Sequence, residues 1–432
     1  MKILIVGGGG REMALVAHEV ERGHDVWCAG ASDAIAELAT PLPLPDDADP
    51  ADRWDTLADA AAQLKIDLTI VGPEAPLATG IADVFAQHQL AIFAPTQEAA
   101  RIETSKAYAK DIMARAGVPT AEYRLFTSKA EALEYLTSAA TYPSVLKENG
   151  LRAGKGVTIC TDVHQAQAVV ESLQLDADQP LLVEEFLEGF EFSLIVMAAG
   201  THYVAFPLAQ DHKPIGEGNV GPNTGGMGAI SPVPRVTDAL YHQAIEQVIE
   251  PTLAQLATQG NPFTGFLYAG LIATAEGVKV IEFNARLGDP EAEVILPRLS
   301  GDVAQAALSL LAGETPTLTV TDRTCLGIVL SSPGYPGAVT AYPPLPAALF
   351  EAAEATDGVT IIHMGTQKDA DGGNASRSAA DSSWHAHGGR VAIVTALGAN
   401  IDECRATLVP LLDKAMAGSD LYYRRDIGTF AS

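Results

Sequence analysis

Over the first hundred residues, short β-branched runs alternate with longer stretches rich in Ala, Leu and Glu. Lys2–Val6 reads as a strand, Gly7–Gly10 as a turn, Arg11–Glu21 as a helix and Asp25–Cys28 as a second strand. Leu68–Val71 runs into Gly72-Pro73-Glu74, and Ala91–Phe93 ends before Pro95. This rhythm predicts a parallel, doubly wound unit whose ligand-binding loops lie at the carboxyl ends of the strands. Pro41–Pro50 reads as a loop between elements.

Further along, the spacing predicts a helix from about Ser105 to Arg115, stopped by Gly117 and Pro119. Strands are expected at Ser144–Lys147, Val157–Cys160 and Leu181–Glu185, then a long loop over Gly216–Gly228 and a helix around Ala239–Gln259. Two more strands, Gly265–Ala273 and Lys279–Asn284, flank a turn at Glu276-Gly277. After Ala312 the composition shifts, Pro333–Pro346 is rich in proline, and the last hundred residues read as a smaller α+β unit. Within that unit Lys368–His387 is polar and is expected to be a mobile surface loop. The fold class is α/β and α+β multidomain, without internal repeats.

Composition narrows the function. At 432 residues with 47% hydrophobic and 19% charged positions, the chain suits about three folded domains. Its 27 basic and 54 acidic residues give a net charge of −27, which repels nucleic acid and acidic membranes. No apolar run is long enough to cross a bilayer; Ser193–Ala199 is among the longest. Lys2–Val6 leaves no room for an export signal, and Cys28, Cys160, Cys325 and Cys404 form no CxxC or Cys/His pair. Reduced thiols in the cytoplasm are therefore expected. Only 11 lysines occur, so a lysine set among Gly and apolar residues needs a reason.

Gly7-Gly8-Gly9-Gly10-Arg11-Glu12 joins a strand to a helix, where backbone N–H groups and the helix dipole favour an anion. It does not fit GxGxxG, because Glu12 and Met13 stand where the third glycine would fall, and a plain tight turn explains it equally well. Gly150-Leu151-Arg152-Ala153-Gly154-Lys155-Gly156-Val157 is a stronger signal. Its glycines allow close approach to phosphate oxygens, and Lys155 can screen their charge. It is not a P-loop, since three residues separate Gly150 from Gly154 and Gly156 follows the lysine. A hairpin turn with a solvated lysine is the competing account. Lys147 weakens it, because an unpaired lysine ending the apolar Val145-Leu146 run would be costly to bury.

At period two, Val280, Glu282, Asn284 and Arg286 fall on one side of a strand, and Ile281 and Phe283 on the other. A carboxylate and an amide oxygen on one face suit a hard cation such as Mg²⁺, and Arg286 can grip a carboxylate. Gly288-Asp289-Pro290-Glu291 adds acidic residues to the same locality. Leu182–Glu191 is a strand end and linker dense in carboxylates, for which a solvated edge is an adequate account. Gly221–Gly228 has too many glycines for an ordinary connection and suits wrapping a ligand with backbone groups. His212 is read as structural.

In this order the segments Gly7–Glu12, Val71–Gly80, Gly150–Val157, Val183–Glu185, Gln210–Lys213, Gly221–Gly228, Thr264–Leu271, Glu282–Glu291 and Tyr423–Gly428 resemble the phosphoribosylamine–glycine ligases of the ATP-grasp superfamily. The resemblance implies a pre-ATP-grasp domain over 1–104, an ATP-grasp domain over 105–315 with a mobile lobe at about 120–190, and a small domain over 322–432. It implies ATP-dependent joining of glycine to 5-phosphoribosylamine through a glycyl phosphate, in de novo purine synthesis, by a cytoplasmic monomer. Carried onto this chain, Lys106, Lys147, Gly154, Lys155 and Gly156 would hold the ATP phosphates. Glu184, Glu185, Phe186 and Leu187 would line the adenine, and Glu191 the ribose. Glu282 and Asn284 would coordinate Mg²⁺ or Mn²⁺. Asp211, Arg286, Gly288 and Asp289 would bind glycine, with Arg286 and Lys155 acting in catalysis. Gly9, Gly10, Gly72, Pro73, Glu74, Asn223, Thr224, Gly225, Gly226 and Met227 would meet the phosphoribosylamine. The chain departs from the family at Met13, Asn149, Arg152 and Leu287. Another amine or acid as substrate, or a non-catalytic nucleotide-binding role, stay open at this point.

Overall fold

A computed structural model describes residues 1–44, 49–151, 156–369 and 381–429. The first unit is a five-stranded parallel sheet in the order Thr40–Leu42, Asp25–Ala29, Lys2–Val6, Leu68–Val71, Ile92–Phe93. Leu4 and Val6 pack toward one face with Trp54 and Leu57, Ile3 and Ile5 toward the other with Leu15 and Val16. Burial on both faces is why these strands read as unbroken apolar runs. The expected loop at Pro41–Pro50 begins as an edge strand instead; at an edge, Pro41 forfeits no ladder bond.

The helix Lys106–Ala116 follows its local signals. Ser105 Oγ accepts from the Tyr108 N–H at the start, and Gly117, at φ +68°, ends it. Beyond it lies an antiparallel lobe of Tyr123–Phe126, Leu181–Glu185, Ser144–Glu148 and Val157–Cys160. This lobe has a separate small core that includes Phe126, Leu136, Leu146, Val170 and Leu181. The sheet beneath it pairs His202–Ala205, Phe190–Ala199, Thr264–Thr274 and Gly277–Asn284, and shares a core with the first unit. Phe93 and Phe266 meet edge to face across that seam, with ring centres 5.2 Å apart.

The last sheet crosses sequence regions. Gln210–Asp211 pairs onto Gly228–Ser231, which pairs onto Thr324–Ser331, then Arg390–Gly398 and finally Val359–His363. Two expected loops prove partly regular. Within Gly216–Gly228, the strand Val220–Asn223 forms a hairpin with Pro214–Gly216, turning through Gly218 and Asn219, both at positive φ. Within Lys368–His387, Asp381–Ala386 is a strand beside Pro344–Pro346 and Thr366–Lys368, and Trp384 is buried. Residues 370–380 of that segment lie outside the described ones.

The hairpin at 214–223 is held from far along the chain. Arg424 is wholly buried; its guanidinium pairs with Asp426 and donates to Pro214 O at 2.8 Å and Asn219 Oδ1 at 2.9 Å. Asp426 accepts in turn from the Gly218 N–H. His212 Nε2, also buried, accepts from the Gly428 N–H at 3.2 Å. Burial first, and the Arg424 charge second, pull the His212 pKa down to about 4 from 6.5. Burial does the same to His18 and His363, each to about 4. The unfolded chain takes up these protons first as pH falls, so the stabilisation is complete above about pH 6.5 and is lost toward pH 4, at about 1.4 kcal/mol per pH unit per histidine. In calorimetric unfolding between pH 7 and 4, His212→Gln is expected to flatten this acid dependence by one proton; an unchanged slope contradicts the assignment.

Candidate active site

The cleft is organised by the strand Gly277–Asn284. Against Thr264–Thr274 its register runs Val280 with Leu271, then Glu282 with Gly270, so Ile281 is an extra residue in a bulge. The bulge resets the alternation. Val280 and Phe283 both enter the core, Phe283 also touching the smaller cavity, and Ile281, Glu282 and Asn284 all line the cleft. The expectation that Val280 shares a face with Glu282, and that Ile281 points away, is therefore corrected. Gly270 lies opposite Glu282, where a Cβ would sit a tight 3.3 Å from the Glu282 side chain.

The cleft holds a main cavity of ≈ 450 Å³ and a smaller adjoining one of ≈ 120 Å³, both lined by Glu74, Lys147, Glu184, Glu282, Asn284 and Arg286. Lys106, Gly150 and Gly156 line the smaller cavity, and Lys106 Nζ donates to Gly150 O at 2.9 Å. Gly154 and Lys155 lie outside the described residues. Lys147 Nζ bonds Glu184 at 2.6 Å and donates to Ile281 O at 3.0 Å, which answers the cost of burying it. Glu184 is itself shared with Lys110 at 2.6 Å. Burial lowers the Lys110 pKa, and Glu184 works against that. Lys110 was missed by the sequence reading, although it stands one helical turn after Lys106.

Glu185, Phe186, Leu187 and Glu191 line the main cavity beside Val145, Val157 and Ile159. Phe186, Val157 and Ile159 are more than a third exposed, an apolar slot that suits a flat base. Glu191 pairs with Lys213 at 3.0 Å, and that pairing, against burial, raises the Lys213 pKa well above its ordinary value. For Glu282, burial opposes the charge, yet Lys213, Lys147, Lys106 and Arg286 together hold its pKa below the usual value. An ionised carboxylate among four cations and beside the Asn284 amide is an oxygen set that fits Mg²⁺. The Asn284 Oδ1 here accepts from Arg286 Nη2 at 3.1 Å.

At the far end, Asp211, Asn223, Thr224, Gly225, Gly288, Asp289 and Glu291 line the cavity. Asp211 Oδ1 is buried without a hydrogen-bond partner; burial first, then Glu291, push the Asp211 pKa well up, against Lys213 and Arg390. Gly226 is pressed against it, a Cβ there falling 2.6 Å from Asp211 Oδ1. Met227 is buried in the core behind the loop. Arg286 bonds Glu103 at 3.1 Å, with Glu74 at 3.7 Å.

The first glycine loop does not open on the cavity. Glu12 fills it: Gly9 N–H donates to Glu12 Oε2 at 2.6 Å, and a Cβ on Gly72 would lie 2.0 Å from Glu12 Oε1. A Cβ on Gly10 would meet Glu293 at 2.5 Å, and Pro73 packs on Gly7. Of that group Glu74 reaches the cavity, as does Arg11, to which the sequence reading gave no role. Arg390 also lines it, from the strand Arg390–Gly398, bonding Asp289 at 2.9 Å and Gly225 O at 2.7 Å. No local signal marks Arg390.

Comparison with known proteins agrees with this architecture. Family profiles for phosphoribosylglycinamide synthetase match in three parts: the N domain over residues 1–103, the ATP-grasp domain over 104–292 and the C domain over 325–430. The chain is 39% identical to the phosphoribosylamine–glycine ligase of Lactococcus lactis, covering 100% of both chains. It is 40% identical to that of Escherichia coli O6:H1, over 99% of this chain and 98% of the relative. The crystal structure of the Thermotoga maritima phosphoribosylamine–glycine ligase superposes with a TM-score of 0.80 at 25% identity, covering 99% of this chain and 100% of that one. The chain belongs to the phosphoribosylglycinamide synthetase family, built on an ATP-grasp fold.

Proposed function

We propose that this cleft joins glycine to 5-phosphoribosylamine, with ATP cleaved to ADP and phosphate, in de novo purine synthesis. The observation that carries the reading is one continuous cleft with cations and an acid–amide pair at one end and, at the other, an Asp211 carboxylate whose Oδ1 is buried without a hydrogen-bond partner. Lys106, Lys147 and Lys155, with the glycines around Lys155, hold the triphosphate. Glu184–Leu187 receive the base and Glu191 the ribose. Glu282 and Asn284 hold the divalent cation, which when bound supplies charge neutralisation and orientation at the phosphates. Asp211 pairs through Oδ1 with a substrate ammonium, which supplies the partner that oxygen lacks. Arg286 orients the glycine carboxylate, aided by Gly288 and Asp289. The loop residues Asn223–Gly225, with Glu74, receive the phosphoribosylamine, and Met227 anchors that loop from the core.

The chemistry needs positioning more than a protein nucleophile. A glycine carboxylate oxygen attacks the γ-phosphorus; that P–O bond forms as the bond to ADP breaks. The phosphoribosylamine nitrogen then attacks the acyl carbon. The C–N bond forms, the C–O bond to phosphate breaks, and the nitrogen loses a proton. The acyl phosphate must be kept from water, and the lobe at about 120–190, with its own core, is the body that closes. With ATP, Mg²⁺ and freshly generated phosphoribosylamine, ADP release is expected to require glycine. Release without glycine, or with another amino acid in its place, overturns the proposal.

A further inference from the structure

We propose a second cation site, away from the cleft, formed by Glu19, His24 and Asp302 and suited to a divalent transition ion such as zinc. Glu19 lies in the last turn of the helix Gly10–Glu21, His24 just before the strand Asp25–Ala29, and Asp302 at the N-cap of the helix Val303–Leu311. Their ligand atoms all lie within 4.8 Å of one another. His24 Nε2 is 2.8 Å from Asp302 Oδ2 and 3.5 Å from Glu19 Oε2.

The independent observation is the state of Glu19. It is 0% exposed, and its carboxylate has no well-formed hydrogen bond: the Ala304 N–H makes only a weak contact, and burial pushes the pKa up to about 8. A buried carboxylate left in this condition is costly, and native proteins relieve it with a donor or a cation. The neighbouring Arg22 relieves it only in part: its charge favours the carboxylate, but its guanidinium donates to the carbonyls of Gly301, His18 and Leu299. Asp302 is divided between two tasks. Its Oδ1 accepts the capping N–H of Gln305 at 2.8 Å, leaving Oδ2 for the cluster. The Asp302 side chain is 32% exposed, which gives an entry path and room for water ligands, while His24 is 9% exposed.

One imidazole nitrogen with two carboxylates selects zinc, or a similar ion, over Mg²⁺ and Ca²⁺, which prefer oxygen throughout. None of the three residues lines the cleft. The ion would tie the first helix to the helix at 303–311, two elements almost 300 positions apart in sequence.

The test is calorimetric titration of ZnCl₂ into the full chain carrying Glu282→Gln, so that the cleft's own cation position is disabled. One zinc per chain is expected, with a higher unfolding midpoint, and Mg²⁺ should not compete. Adding His24→Gln or Asp302→Asn should weaken binding at least tenfold; the latter keeps the helix cap, so its fold is preserved. X-ray absorption should show nitrogen and oxygen donors without sulfur. No zinc uptake, affinity unchanged by both substitutions, or a sulfur shell each overturns the site. The inference does not depend on which acid or amine the cleft joins.

Discussion

Glu282→Gln is expected to leave a folded protein whose turnover falls by roughly 10³-fold, the scale on which a single preorganised electrostatic group acts. The change is nearly isosteric and removes only the charge. Glu282 is the anion on which Lys213, Lys147, Lys106 and Arg286 converge, and these cations overcome the burial that would otherwise raise its pKa. Without it, a divalent ion at the proposed position would lose its one charged ligand, and the four cations would lose the carboxylate they share, although Lys147, Lys213 and Arg286 keep Glu184, Glu191 and Glu103 as partners. ADP release under saturating ATP, Mg²⁺, glycine and phosphoribosylamine measures the effect, with circular dichroism as the control for folding. Near-normal rates would remove Glu282 from the proposed metal position.

Arg286→Leu should cost both stability and activity, and the two can be separated. Glu103 is buried, and its partners are the Ala285 N–H at 2.8 Å and Arg286 Nε at 3.1 Å. Removing the guanidinium strands that carboxylate, at a cost of about 3–5 kcal/mol. Burial already raises the Glu103 pKa, and Arg286 is the first group that opposes the rise. The substitution raises it further. A raised folded-state pKa means that the penalty vanishes below the ordinary glutamate value near 4.5 and grows as pH rises. Urea unfolding at pH 5 and pH 8 should show the variant nearer to the parent protein at the lower pH. Adding Glu103→Gln should restore much of the stability but none of the turnover. Recovery of both would mean that Arg286 serves the fold alone.

The elements were legible where local rules decide them. Ser105 and Gly117 delimit their helix because capping is a short-range matter, and the strands around Lys2, Leu68 and Ala269 are apolar enough to announce themselves. The pairing of Glu282 with Asn284 on one face was legible for the same reason. The parity of Val280 was not, because a bulge is a property of two paired strands, and Ile281 carries no mark of it. The hairpin at 214–223 had a turn signal, Gly218-Asn219, that the richer glycine run after it obscured. Contacts that close the cleft from elsewhere were out of reach. Nothing near Arg390 shows that it will reach Asp289, about a hundred positions away. Nor does Glu12 announce that it will plug the glycine loop, since that depends on Gly72 arriving opposite.

The Arg424–Asp426 clamp has a consequence for synthesis. The hairpin leading into Asn223–Met227 is made some 210 positions before the guanidinium that holds it. On the ribosome, where chains fold from the amino end, the first unit can pack while that hairpin has no anchor. Catalytic competence should therefore arrive late and abruptly, as Arg424 emerges, and a nascent chain stalled shortly before it would be compact yet inert.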